Sequence, residues 1–321
     1  MIKPTTDLNV NLEAEKLKAL YKIDFEKKAK ESKNSKTKFT MLNFGGKGTG
    51  KTTTVLLSPP TGKKVVFSFD GRTKIIKEQL VREGLLRDED VTVYNILDDF
   101  IDSPEQSRET GFLAYEYLIY LFENEVKNKG YDYIIFDGLD FYNRIAEMRT
   151  RYIKKCPAFG SIDLNFWKLR TSYLMTTHRL ALKYAKKGVL YTAYYDEHSE
   201  YTFKAKDGTE LEKKGPKYIE LVDKEIDYLL ENELVILKDK DKKIIRATVL
   251  TSKNDRLLPT GKMFDINNYK MPFSEEDLKK WYPHLFTEEK KKEEIDYGTQ
   301  KLVKEIVEEN TQEEESVGDF Y

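Results

Sequence analysis

Residues 45–52 combine glycine, lysine and threonine at a spacing that suits phosphate binding. They read GGKGTGKT and fit the pattern G-x-x-x-x-G-K-[ST] in full. Glycines let consecutive backbone N–H groups turn inward around phosphate oxygens. Lys51 is then expected to reach the β- and γ-phosphates of a nucleotide, and the Thr52 hydroxyl to bind Mg²⁺. The predicted phosphate-binding residues are Gly45, Gly46, Lys47, Gly48, Thr49, Gly50, Lys51, Thr52 and Thr53.

A magnesium ion beside a nucleotide needs a carboxylate at the end of a neighbouring apolar strand. Residues 133–137, YIIFD, run four apolar residues directly into Asp137. We therefore predict that Asp137 binds the metal together with Thr52, and Asp140 is the nearby alternative. An Asp that only caps the following helix would give the same pattern.

Hydrolysis also needs a group that orients water. Many phosphate-loop ATPases place Glu directly after the magnesium Asp, but here that position is Gly138. Asp70 ends VVFSFD, the strand that follows the phosphate-loop helix, and is our catalytic candidate, with capping or turn formation beside Gly71 as the alternative. Thr192 ends a strand expected beside Asp137, where it could sense the γ-phosphate or be an ordinary strand threonine.

The elements that must position these residues alternate between strand and helix up to residue 197. This alternation is typical of βαβ units, so we predict an α/β fold with a mainly parallel sheet flanked by helices. Beyond it, Asp207-Gly208 predicts a hairpin, residues 217–231 a helix, and residues 233–252 two strands added antiparallel to one edge of the sheet. The predicted strands are 39–44, 63–70, 91–96, 131–137 and 188–197, and the predicted helices 12–33, 75–86, 104–129, 139–154 and 164–187.

The composition narrows the class of protein. Charged residues make up 35% of the 321 residues, yet 12% are aromatic, and disordered chains are poor in aromatics. Most of the chain should therefore fold around a core. Cys156 is the single cysteine, which excludes an intramolecular disulfide and argues against a cysteine-based zinc site. No stretch of about 18 uncharged apolar residues occurs, so we expect a cytoplasmic protein, in the host cytoplasm if it is viral, with no membrane partner.

The net charge of −1 excludes a global basic field for nucleic acid, but the charge is unevenly distributed. Residues 1–40 hold 10 Lys against 6 Asp or Glu, whereas residues 287–321 hold 5 Lys against 12 Asp or Glu. This asymmetry predicts a basic N-terminal arm and an acidic tail. Two solvated chain ends with no partner would also account for it.

Taken together, these segments resemble the RecA-like P-loop ATPases. The closest likeness is to the short, single-core branch of phages and archaea, which is tied to recombination and strand annealing. The resemblance covers residues 38–265 and implies a RecA-like core there, with ATP and Mg²⁺ as cofactors. The basic helical arm at 1–37 precedes this core, and an extension at 266–321 with the acidic tail follows it. Asp70 stands where Glu is usual, and no DNA-binding loop signature is present. The segments that carry the resemblance are GGKGTGKT (45–52), VVFSFD (65–70), YDYIIFD (131–137), LYTAYYDEH (190–198) and TSKNDR (251–256).

The resemblance also implies partners. RecA-like ATPases form rings or filaments, so a homo-oligomer is expected. Lys253 and Arg256 resemble the lysine and arginine that KaiC-like relatives present to a neighbouring subunit's nucleotide, although a solvated basic turn is the alternative. We expect the basic arm to bind single-stranded nucleic acid. The acidic and aromatic end, EEESVGDFY (313–321), would dock a protein partner or remain disordered.

Three other functions remain open from the sequence. Residues 252–255, SKND, form a loose guanine-specificity motif, which would suit a GTPase. Arg144, Arg149 and Arg151 could form the lid of a small-molecule kinase. A nucleotide-binding scaffold or assembly protein without strong catalysis would fit the missing Glu after Asp137.

Overall fold

The computed structural model describes residues 24, 37–58, 61–97, 100, 106–204, 210–216, 225–237, 242–266 and 273–286. By its internal contacts the chain divides into Met1–Thr37 and Lys38–Tyr321, and the fold below belongs to the second unit. The helix predicted for 12–33, apart from Asp24, and the acidic tail lie outside the described residues. In this described part of the chain, no helix has the length and apolar character needed to cross a bilayer.

Among the described residues, the strands form an eight-stranded sheet and a separate two-stranded one. The strands are β1 (Phe39–Gly45), β2 (Lys64–Ser68), β3 (Val91–Asn95), β4 (Tyr133–Asp137), β5 (Gly188–Ala193), β6 (Tyr195–Lys204), β7 (Glu210–Pro216), β8 (Tyr228–Leu237), β9 (Lys242–Ser252) and β10 (Met263–Asp265).

The large sheet has the order β3-β2-β4-β5-β1-β8-β9-β10. Strands β3 to β8 in this order run parallel, and β9 and β10 continue the sheet antiparallel at one edge. The predicted mainly parallel sheet with antiparallel edge strands is confirmed. One detail was wrong: β8, expected to be antiparallel, lies parallel to β1.

Helices cover both faces of the sheet. They are α1 (Lys51–Leu57), α2 (Thr73–Arg82), α3 (Arg108–Leu121), α4 (Leu139–Ile153), α5 (Leu164–Tyr184) and α6 (Glu275–Trp281). Side chains of a strand alternate between faces. Leu42 and Phe44 of β1 therefore pack in the cluster that includes α3, α4 and α5 residues. Phe39 and Met41 pack in the other cluster, with residues of α1, α2 and α6.

Several predicted element boundaries were displaced. The strand predicted for 188–197 ends at Ala193, and Tyr195 begins β6 in the two-stranded sheet. The helix predicted for 217–231 is wrong from Tyr228 onward, because these apolar residues are buried in β8. The Asp207-Gly208 hairpin signal is confirmed by the antiparallel pairing of β6 with β7.

Candidate functional site

The predicted phosphate loop (residues 45–52), called the phosphate loop below, runs from the last residue of β1 into the first residues of α1. Gly48 and Gly50 have φ values of 78° and 68°, in the left-handed region that favours glycine. These two positions let the chain turn sharply so that α1 begins directly at Lys51. Since parallel strands present their carboxyl ends at one edge, the loop shares that edge with the residues that follow β5, β4 and β2.

A cavity of about 270 Å³ lies at this edge. It contains seven residues of the predicted phosphate-binding set together with both predicted catalytic carboxylates, Asp70 and Asp137. Gly45 and Gly46 are not part of the lining, but their carbonyl oxygens hold Lys51. The lining residues are Lys47, Gly48, Thr49, Gly50, Lys51, Thr52, Thr53, Asp70, Arg72, Ile76, Asp137, Gly138, Thr192, Ala193 and Tyr194.

Lys51 is folded back against its own loop. Its Nζ donates hydrogen bonds to the carbonyl oxygens of Gly45 (3.0 Å) and Gly46 (2.7 Å). The same ammonium group lies 4.0 Å from the centre of the Tyr194 ring, within range for a cation–π contact. Burial lowers the pKa of Lys51 to about 8, and the carboxylates of Asp140 and Asp137 oppose that shift. A bound phosphate would favour the charged amine more strongly than these carbonyl groups do.

Asp137 is buried at the end of β4 and is held by three hydroxyl groups. The Oγ1 atoms of Thr52 and Thr192 lie 3.0 Å and 2.5 Å from Oδ1, and Thr73 Oγ1 lies 2.6 Å from Oδ2. Burial raises the pKa of Asp137, and the Asp70 carboxylate raises it further. The three hydroxyl donors act in the opposite direction, because they stabilise the ionised carboxylate.

The polar residues at this edge form one row across four strands. Ser68, Asp137, Thr192 and Asn43 are successive register partners on β2, β4, β5 and β1. On each of these strands, the residue two positions before the polar one packs in the hydrophobic cluster beneath α1 and α2. Since side chains alternate along a strand, the polar row faces the α1 and α2 side of the sheet. Thr192 bonds both Asp137 and Gly138: its Oγ1 donates to the Asp137 carboxylate and accepts a hydrogen bond from Gly138 N (2.9 Å). The expected position of Thr192 beside Asp137 is confirmed.

The other two candidate carboxylates bond to backbone amides. Asp70 Oδ1 accepts from Arg72 N (3.0 Å), which is the turn interaction that the sequence left open. Asp140 Oδ1 accepts from Tyr194 N (3.0 Å), and Asp140 does not line the cavity. Asp137 therefore adjoins the Thr52 hydroxyl, whereas Asp140 supports the chain beyond β5.

Thr52 and Asp137 fit a magnesium ion carried by a nucleotide. Mg²⁺ takes oxygen ligands, keeps several waters and is bound by one or two carboxylates plus substrate phosphates. A hydroxyl and a carboxylate oxygen 3.0 Å apart supply that small protein share. Within the described ranges, no group of three or more His, Cys, Asp or Glu side chains could hold a metal without phosphate.

Lys253 and Arg256 lie at the opposite end of the parallel strands from the phosphate loop, near the residues where β1 begins. Lys253 N donates to the carbonyl oxygen of Asp227, whose own N–H bonds Thr40 at the start of β1. Lys253 Nζ is 3.8 Å from Asp227 Oδ1, and the Arg256 guanidinium is 5.3 Å from the centre of the Trp281 ring. Neither residue, nor the rest of segment 252–255, lines the cavity of its own chain.

The three arginines considered for a kinase lid are engaged elsewhere. Arg149 is buried and pairs with Glu116 at 2.6 Å. Arg144 and Arg151 both pair with Glu147, at 2.7 Å and 2.8 Å. None of the three lines the cavity. Arg149 joins α4 to Glu116 of α3, whereas Arg144 and Arg151 pair within α4 itself.

Sequence reasoning did not single out Arg72, Thr73 or Tyr194 as part of this site. Arg72 and Tyr194 line the cavity, and Thr73 bonds Asp137 from the first turn of α2. Their one shared signal is position, since Arg72 and Thr73 follow the end of β2 and Tyr194 follows β5.

Comparison with protein-family models and with the curated proteins finds no match to this chain.

Proposed function

We propose that this chain is a RecA-like P-loop ATPase that binds Mg²⁺·ATP at the phosphate loop and hydrolyses it. The observation that carries the proposal is the convergence of Lys51, Thr52 and Asp137 on one cavity, with the Thr52 hydroxyl 3.0 Å from the Asp137 carboxylate. The sequence pattern and this arrangement agree on the same three roles. A glycine-rich turn without a ligand would not require the carboxylate to meet the hydroxyl.

Each residue has a defined task in the proposed reaction. The backbone N–H groups of residues 47–53 bind phosphate oxygens, and Lys51 exchanges its carbonyl partners for the β- and γ-phosphates. Thr52 and Asp137 would hold Mg²⁺, which when bound neutralises charge on the phosphates. Asp70, at the cavity wall, is the carboxylate available to orient the attacking water.

Nucleic acid and self-assembly belong to the same proposal. We propose that ATP turnover is coupled to single-stranded nucleic acid, as in recombination or annealing, and that subunits form a ring or filament. Lys253 and Arg256 lie away from the cavity of their own chain. If they act on a nucleotide, it is therefore a neighbour's.

A nucleotide-binding scaffold is the second candidate, and one observation favours it. The Asp70 carboxylate is already bonded to the backbone of its own turn, and Gly138 occupies the position of the missing Glu. Such a chain would bind ATP but hydrolyse it slowly. The positions of segment 252–255 and of the three arginines give no comparable support to a GTPase or a kinase.

The test compares nucleotide binding and turnover in four proteins: the wild type, Lys51→Ala, Asp137→Asn and Lys74→Ala. Lys74 is an exposed cation that does not line the cavity, so its variant is the control. We expect magnesium-dependent ATP turnover that rises with single-stranded DNA. Turnover should fall about hundredfold or more in the first two variants and stay unchanged in the third.

Each outcome separates the candidates. ATP binding without turnover, with or without DNA, would favour the scaffold. Preference for GTP, or turnover that requires an acceptor molecule, would favour the GTPase or the kinase. Wild-type turnover in Lys51→Ala would show that the phosphate loop is not the site.

A further inference from the structure

Arg72 brings a guanidinium group to the cavity on the side opposite the phosphate loop. It lies between Asp70 and the first residue of α2, and it lines the cavity. Its backbone N–H bonds Asp70 Oδ1, which fixes the point where the side chain leaves the chain. The residue is exposed, and in the described part of the chain no ion pair includes it.

The Tyr194 side chain is influenced by a cation from the start of α1 and by one from the turn before α2. Lys51 Nζ lies 4.0 Å from the centre of its ring. Burial raises the pKa of the Tyr194 hydroxyl, as do the nearby carboxylates, whereas the Arg72 guanidinium opposes that shift. Arg72 is therefore close enough to act electrostatically on the same ring. The order β1-β5-β4-β2 places Lys51, Tyr194, Asp137 and Arg72 in that sequence along the edge.

A phosphate group that enters this cavity therefore meets a cation on each side. Lys51 is on the side of the loop, and Arg72 is beyond Asp137 in the strand order. Since Asp137 is proposed to hold the Mg²⁺ that accompanies the terminal phosphate, we expect that phosphate on the Asp137 side of the loop. A guanidinium can bond two phosphate oxygens at once, which an ammonium group cannot do with the same geometry. Lys253 and Arg256 are near the start of β1, at the opposite end of the strands from the cavity, so within one chain they do not compete for this role.

We propose that Arg72 contacts the terminal phosphate of the nucleotide bound at the phosphate loop, so that the chain supplies this cation to its own site. The inference rests on the proposed ATP binding. It assigns Arg72 a share in distinguishing ATP from ADP, because only ATP carries the phosphate that the guanidinium reaches. The same contact would stabilise charge that develops during phosphoryl transfer.

The test measures affinity for a non-hydrolysable ATP analogue and for ADP by calorimetry, in the presence of Mg²⁺. The proteins are the wild type, Arg72→Ala, Arg72→Lys and Arg82→Ala. Arg82 is an exposed arginine at the end of the same helix and does not line the cavity. For Arg72→Ala we expect a loss of about tenfold to hundredfold in analogue affinity, typical of a lost charge-assisted hydrogen bond, with ADP affinity unchanged.

Arg72→Lys should recover part of the loss, and Arg82→Ala should match the wild type. Unchanged ADP affinity also shows that each variant is folded. If the wild type prefers the analogue and Arg72→Ala keeps that preference, the inference is overturned while the proposed function stands. If the wild type binds neither nucleotide, both are overturned.

A mixing experiment decides whether Arg72 acts within its own chain. Arg72→Ala and Lys51→Ala are combined, and ATP turnover is compared with that of each variant alone. We expect no recovery, because the intact arginine and the intact loop are then on different chains. Recovery would show that Arg72 serves a neighbouring subunit and would overturn the assignment.

Discussion

The carboxylate of Asp137 is subject to two opposing influences. Burial at the end of β4 favours its neutral form, and hydrogen bonds from Thr52, Thr73 and Thr192 favour its charged form. A charge-assisted hydrogen bond is stronger than a neutral one, so the hydroxyl groups have a larger effect here than in an ordinary polar cluster. They also fix the direction of both carboxylate oxygens before any ligand enters.

Thr192→Val should destabilise the protein by about 1–3 kcal/mol, because a buried N–H loses its acceptor. The hydroxyl that is lost accepts from Gly138 N and donates to Asp137 Oδ1. Urea unfolding would measure the effect, and Thr192→Ser, which keeps the hydroxyl, serves as the control. Equal stability of the valine and serine variants would contradict the bridging role of Thr192.

His178 predicts how stability changes in weak acid. Burial lowers its pKa from 6.5 to about 4, and the cations of Arg179 and Lys253 act in the same direction. Its Nδ1 lies 2.5 Å from the Tyr191 hydroxyl, whereas the nearest carboxylate, Glu225, is 3.8 Å from Nε2. Between these two pH values the unfolded chain binds the proton more readily, so stability falls as the pH drops from 6.5 towards 4.

The comparison of wild type with His178→Asn isolates this contribution, since other groups also titrate in acid. We expect the difference in urea midpoint between pH 7 and about pH 5 to be smaller in the variant, which has no imidazole to protonate. The variant also loses stability at pH 7, so the readout is the change with pH. An identical pH dependence in the two proteins would refute the prediction.

The turn between β4 and α4 explains why no Glu follows Asp137. Gly138 has φ 98° and ψ 60°, a left-handed conformation, and its N–H is bonded to Thr192. A Cβ atom added there would lie 3.2 Å from Phe141 Cδ2. A larger residue at this position would strain the turn that carries Asp137 into the site, so the adjacent-Glu arrangement is sterically unfavourable in this element.

Gly138→Ala should therefore cost more stability than Gly261→Ala. Gly261 also has a positive φ, 78°, but an added Cβ meets nothing within 4 Å. Backbone strain of about 1–2 kcal/mol applies to both substitutions, and the steric contact only to the first. Thermal unfolding of the two variants measures the difference. Equal losses would mean that the contact with Phe141 relaxes freely, and a larger loss at Gly261 would contradict the prediction.

The sequence predicted the strands of the parallel core and the residues that follow them, because four apolar residues before Asp137 and a complete phosphate-loop pattern are local signals. It did not predict that β8 is parallel, since the apolar residues at its two ends suit either direction. It also did not predict Thr73 or Arg72. Their contacts arise from the order of β2 and β4 in the sheet, which no local pattern encodes.

At the scale of the whole chain, the near-neutral net charge requires the proposed nucleic-acid binding to be local. The basic arm, which lies almost entirely outside the described residues, is the predicted surface. Deleting residues 1–36 should weaken single-stranded DNA binding and flatten its salt dependence, because fewer counterions are then released. ATP turnover without DNA should remain.

Filter binding at several salt concentrations would measure this effect. Removal of residues 311–321, which are acidic, is the matched control and should leave DNA binding and ATP turnover intact. DNA binding that survives the N-terminal deletion with an unchanged salt slope would move the interface to another surface. No binding at low salt with ATP present would favour the scaffold.

The opposite placement of the phosphate loop and the Lys253–Arg256 pair bears on the symmetry of assembly. Strand β1 separates the two edges by seven residues, about 20 Å at the usual rise of a strand. In a two-fold interface, each subunit would have to present both its loop and its Lys253–Arg256 pair to the same partner. In a head-to-tail contact, the loop of one subunit meets the pair of the next. An open chain of such contacts leaves one unused loop at its first end and one unused pair at its last. If the pair acts on a neighbour's nucleotide, the assembly therefore has a direction and grows as a ring or an open helix.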